Sequence, residues 1–118
     1  STEPNSLDGK SLSLAIPFLG EYLKNKHQIN LTYQLSVDEN TLAYELQADL
    51  YRTIFEAISY AVIKGNGRNF KVILQTFKGK VWLNIYDDDE SFIHFNNKVN
   101  FDISMYYIRQ IANKYRSV

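Results

Sequence analysis

The stretch LAYELQADLYRTIFEAISYAVIK at positions 42–64, followed by Gly65-Asn66-Gly67 and then by FKVILQTF at positions 70–77, decides the fold. Leu46, Leu50, Ile54, Ala57, Ile58 and Ala61 recur at spacings of three and four, which makes one apolar face of a long helix. Gly-Asn-Gly ends it, because glycine reaches the left-handed conformation that closes a helix. Phe70 to Phe77 then reads as a strand. Lys78-Gly79 is a tight turn, and Lys80 to Tyr86 is a second strand with Val81, Leu83 and Ile85 on one face. So short a link makes the two strands an antiparallel hairpin.

Working outward, Ile29 to Leu35 alternates apolar and polar residues and predicts a half-buried strand, with a turn over 37–40. Leu12, Ala15, Ile16, Leu19, Tyr22 and Leu23 form a second helical stripe over 12–26. Pro17 lies within it. Proline suits a first turn and disrupts later ones, so the regular helix is expected to begin near Ala15 to Pro17. On the C-terminal side, Asp87 to Glu90 is an acidic run, and His94 to Phe101, rich in Asn, reads as a loop. Ile103 to Tyr115 is helical again through Ile103, Tyr107, Ile108, Ile111, Ala112 and Tyr115. Helix, strand, long helix, hairpin, loop and helix predict an α+β (α/β) two-layer sandwich. Its helices pack on one face of a mixed, largely antiparallel sheet. Residues 1–10 are polar and turn-rich, a linker or loose terminus, and 11–118 form the domain.

Composition narrows the function classes. The 118 residues suit one domain with one core, at 45% hydrophobic and 22% charged. Thirteen basic residues balance thirteen acidic ones, so no global field draws the chain to nucleic acid or anionic lipid. There is no Cys, which excludes disulfides and thiolate metal sites and fits a reducing compartment without establishing one; a cytoplasmic location is expected. No apolar run approaches the ~20 residues that span a bilayer. The first residues have neither the basic nor the apolar region of a signal peptide, and the chain lacks an initiator Met, so it reads as a piece of a longer protein. A membrane connection is expected only through parts outside it. Lys64, Arg68, Lys71, Lys78 and Lys80, interleaved with Phe70, Phe77 and Trp82, resemble a nucleic-acid face. Zero net charge favours instead a sheet edge blunted by lysines.

The long helix, the hairpin and the acidic run, in that order, resemble the GHKL (Bergerat-fold) ATPases. The closest likeness is to the ATP-binding domain of two-component sensor histidine kinases. Leu50-Tyr-Arg-Thr-Ile-Phe-Glu56-Ala-Ile-Ser-Tyr60-Ala-Val-Ile-Lys64 is similar to that family's N box, in register at Leu50, Tyr51, Arg52, Glu56, Ala57 and Ala61. The resemblance implies that Glu56 stands at the general-base position and Lys64 near the nucleotide. It also implies that Tyr60 replaces the Asn that binds Mg²⁺ beside the triphosphate. A neutral phenol is a poor ligand for a hard cation. Asp87-Asp88-Asp89-Glu90-Ser91 stands at the first glycine box, Asp-x-Gly-x-Gly. Asp87 matches the carboxylate that reads the adenine amino group, while Asp89 and Ser91 replace the glycines. Asp102-Ile-Ser104-Met105, followed by Arg109-Gln-Ile-Ala112, resembles the second glycine box, with Asp102 and Ser104 again in place of glycine.

In that family, glycines at this helix start let backbone N–H groups cradle phosphate. Asp102 would cap the helix instead and repel the ligand, by about 4 kcal/mol at 4 Å and an effective dielectric near 20. Packing positions are kept and chemical positions replaced in all three motifs. The resemblance therefore implies a degenerate ATP site, with no bound cofactor or metal expected where the family takes ATP and Mg²⁺. Whether the chain catalyses phosphotransfer stays open. The partners it implies are proteins: the sensor's own dimerisation helix, a response regulator or another kinase. The family continues after this helix with two more strands that these residues do not include, so the resemblance implies either a chain cut there or a reduced sheet. Two alternatives stand beside this: an active but atypical kinase domain, and a module binding a non-nucleotide ligand or a protein on the same fold. The plain reading of Glu56 is a solvated helix residue, and that of the acidic run a solvated turn. His27 and His94 read as surface residues, in keeping with the lack of any zinc or triad pattern.

Overall fold

A computed structural model describes residues 6–63, 67–77, 80–88 and 90–98. Its elements are α1 (Leu12–His27), β1 (Asn30–Ser36), a 3₁₀ turn (Glu39–Thr41), α2 (Tyr44–Ile63), β2 (Asn69–Phe77), β3 (Lys80–Asp87) and β4 (Glu90–Lys98). The sheet runs β1-β2-β3-β4. β1 is parallel to β2, and both later pairings are antiparallel. The fold is the expected α+β architecture, an open mixed sheet with helices on one face.

The core follows from the two periodicities. Leu46, Leu50, Ile54, Ala57, Ile58 and Ala61 of α2 are all buried, as the spacing predicts. They join Leu12, Ala15, Ile16, Leu19 and Leu23 of α1 and Phe70, Val72, Leu74, Val81, Leu83 and Ile85 of the sheet in one cluster. The alternate strand residues Lys71, Ile73, Gln75, Trp82, Asn84 and Tyr86 therefore lie on the opposite face, exposed or half-buried. Phe70 belongs to the core, so it is not interleaved with surface lysines as a nucleic-acid face would need. Among the described residues, no helix is long and apolar enough to cross a membrane.

Four expectations are corrected. The first helix begins at Leu12, not near Ala15 to Pro17, and Pro17 sits inside it. Ser11 makes no side-chain cap. Other elements cap the helix instead: Ser13 N–H and Oγ–H donate to the Glu39 carboxylate at 2.8 and 3.0 Å, and Leu12 N–H donates to Gln47 Oε1 at 3.3 Å. With its first donors satisfied, the helix can start before the proline. Second, residues 94–98 are not loop. They belong to β4, where His94 faces Asn84 and Asn96 faces Trp82 in the ladder. A neighbouring strand overrides the weak strand preference of Asn. Third, β1 is more exposed than half-buried: only Leu31 and Leu35 are half-buried, and Tyr33 is 43% exposed. Fourth, the turn expected over 37–40 is centred later, as the 3₁₀ turn Glu39–Thr41 closed by Asp38 accepting from Asn40 N–H. Residues 103–115 and the turn at 78–79 lie outside the described residues.

Within the expected loose terminus, Leu7 and Gly9 are held. Leu7 is buried in the core, and Gly9 N–H donates to the Tyr44 hydroxyl at 2.8 Å.

Candidate functional site

On α2, the motif residues divide by their environment. Leu50, Tyr51, Ala57 and Ala61 are buried, and Arg52 is exposed. Burial pushes the Tyr51 phenol from 10.0 up to about 12, so it stays neutral and serves packing. Tyr60 is half-buried and packs against the core rather than standing free in solvent. Glu56 is half-buried too, and its Oε1 is enclosed with no hydrogen-bond partner among the described residues. Burial raises its carboxyl above the ordinary value, against the opposing pull of the Arg52 guanidinium one turn earlier. A partly desolvated carboxyl of this kind accepts a proton more readily than a surface carboxylate. That is unlike the solvated helix residue of the plain reading.

The acidic run does not form an open loop. Asp87 ends β3 and Glu90 begins β4, and the two are partners in the ladder, so the strands make a second antiparallel hairpin with Asp88 at its turn. Ser91 faces Tyr86 in that ladder, next to a register shift between Ile85 and Tyr86. Asp88 turns its carboxylate back onto the molecule and accepts from Arg68 N–H at 2.8 Å. Arg68 in turn donates from Nη1 to the His27 carbonyl at 2.9 Å, and its own carbonyl accepts from Asn30 N–H. His27 packs edge-on to Tyr22, with ring centroids 5.8 Å apart. The end of α1, the starts of β1 and β2 and the acidic turn are thus tied at one corner. Gly67, at φ +66°, makes the bend into it, and a Cβ there would meet Asp88 Oδ2 at 3.4 Å. No local signal in the acidic run pointed to Asp88 as a brace, because its partner lies 20 residues away.

Asp87 lines a shallow depression of about 300 Å³ with Asn30, Thr32, Asn69, Lys71 and Tyr86. No residue of α2 lines it, so Asp87 shares that depression with neither Glu56 nor Tyr60. Lys64, Asp89, Asp102, Ser104 and Met105 lie outside the described residues, and of Ser91 only the backbone is described. Among the described residues no group of three or more His, Asp or Glu side chains gathers where it could hold a metal ion. Chemically, the described part offers one proton-accepting carboxyl on a packed helix and one acidic hairpin turn used as a brace. No known family's model matches the chain, and no curated protein does.

Proposed function

We propose that the chain is a GHKL-type, histidine-kinase-like ATP-binding domain of a two-component sensor, with its nucleotide site degenerate, acting in the cytoplasm through protein contacts. The observation that carries this reading is on α2. The motif's packing residues Leu50, Tyr51, Ala57 and Ala61 are buried in register, while the metal-ligand position holds Tyr60, packed against the core. The pairing of Asp87 with Glu90 adds support, since strands so closely linked leave little room for a nucleotide to approach the backbone there. Partners of this class are a dimerisation helix, a response regulator or a second kinase. Titration calorimetry with ATP, ADP and a non-hydrolysable analogue, each with Mg²⁺, tests it. No heat is expected at micromolar ligand, and micromolar affinity overturns the degenerate site.

One observation favours the alternative of an atypical active domain: Glu56 keeps a proton-accepting carboxyl at the family's general-base position. Autophosphorylation by the full-length sensor, abolished by Glu56→Gln, supports that alternative over the first.

A further inference from the structure

Among the described residues β1 is an edge of the sheet, and its own sequence carries none of the devices that protect such edges. Its seven residues, Asn-Leu-Thr-Tyr-Gln-Leu-Ser, include no charge, no Pro and no Gly, and its pairing to β2 is continuous without a bulge. Proteins usually blunt an edge with charged side chains, prolines or bulges, because unpaired N–H and C=O groups template a further strand. Asn30 N–H bonds inward to Arg68. In a parallel ladder each residue points both its backbone groups to one side, so Leu31, Tyr33 and Leu35 turn theirs outward. Nothing among the described residues pairs with them.

The strand is also close to a chemical palindrome about Tyr33: Leu31 mirrors Leu35, Thr32 mirrors Gln34, Asn30 mirrors Ser36. We infer that β1 pairs edge to edge with β1 of a second copy, antiparallel about a two-fold axis at Tyr33, giving one continuous eight-stranded sheet. In that register Leu31 faces the partner's Leu35 and Tyr33 faces the partner's Tyr33. All three outward-facing residues then meet outward-facing residues, which makes about six N–H···O bonds. Apolar meets apolar on the helix side, and polar meets polar on the other. A two-fold contact brings like patches together, so it needs a neutral patch, and this one is. A groove of about 410 Å³ between α1 and β1, lined by Pro17, Gly20, Glu21, Lys24, Leu31 and Tyr33, gives the partner's side chains room. Its rim holds one acid and one base, so two copies bring no net repulsion there.

Sedimentation of the full chain over a concentration series, with amide exchange read at each concentration, tests this. A reversible dimer is expected, with Leu31, Tyr33 and Leu35 amides gaining protection as it forms. Tyr33→Lys, which sets two like charges at the axis, is expected to give a monomer with an unchanged circular dichroism spectrum. A monomer at every concentration overturns the inference. So does a dimer whose formation leaves those three amides unprotected, whatever Tyr33→Lys does to folding.

Discussion

Glu39 and Gln47 perform at the start of α1 the capping that Ser11 does not. The Glu39 carboxylate takes two donors from Ser13, and its charge sits against the positive end of the helix. Glu39→Ala should lower stability by about 1–2 kcal/mol, read as a shift in urea midpoint at constant slope, with Glu39→Gln losing less. Glu56 acts in the opposite sense. Its folded carboxyl is raised above the unfolded value of 4.5, chiefly by burial, so folding binds its proton more tightly. Its contribution is present below that value and is lost as pH rises through the folded one. Glu56→Gln should therefore flatten the decline in stability above pH 4.5 and leave the protein more stable at neutral pH, measured by melting across a pH series. Neither effect was legible in the sequence. Glu39 lies 26 residues from Ser13, so no local pattern linked them, and the enclosure of Glu56 Oε1 depends on packing that its helix position does not reveal.

Among the elements, α2 and the β2–β3 hairpin could be read to within two residues, because each carries a clean period of 3.6 or 2 and a glycine-bearing turn. α1 and β4 could not. Pro17 argued for a late helix start, and only the distant caps reverse that. His94, Asn96 and Asn97 argued for loop, and only the ladder with β3 reverses it. α1 also carries Gly20, a residue that weakens a helix interior. A Cβ there would stand 3.8 Å from Leu31 Cβ, an ordinary contact. Gly20→Ala should accordingly raise stability by about 0.5–1 kcal/mol, seen as a higher melting temperature without loss of the fold. The C-terminal end of α1 is closed by Gln28 in the left-handed region at φ 56°, with Ile29 N–H reaching back to the Leu23 carbonyl. That closure turns the chain directly into the edge strand.

For the whole molecule, the layer arrangement was legible because one face of every long element is apolar. The candidate site was legible only as positions. Glu56 and Tyr60 of α2 do not line the depression that Asp87 lines, an outcome set by how the helix packs on the sheet and not by any local motif. The sheet also mixes two kinds of neighbour. β2, β3 and β4 follow one another across links of two residues, whereas β1 meets β2 only across α2, with Asn30 opposite Asn69. Closing that span costs chain entropy before any ladder bond offsets it, while the hairpins close almost at once. The three antiparallel strands with α2 should form the folding nucleus, and α1 with β1 should join last. In stopped-flow kinetics, Leu83→Ala should mainly slow folding, whereas Leu31→Ala should leave folding nearly unchanged and speed unfolding. The parallel pairing thus gives the domain a temporal seam: the strand that is latest to arrive is the first to let go.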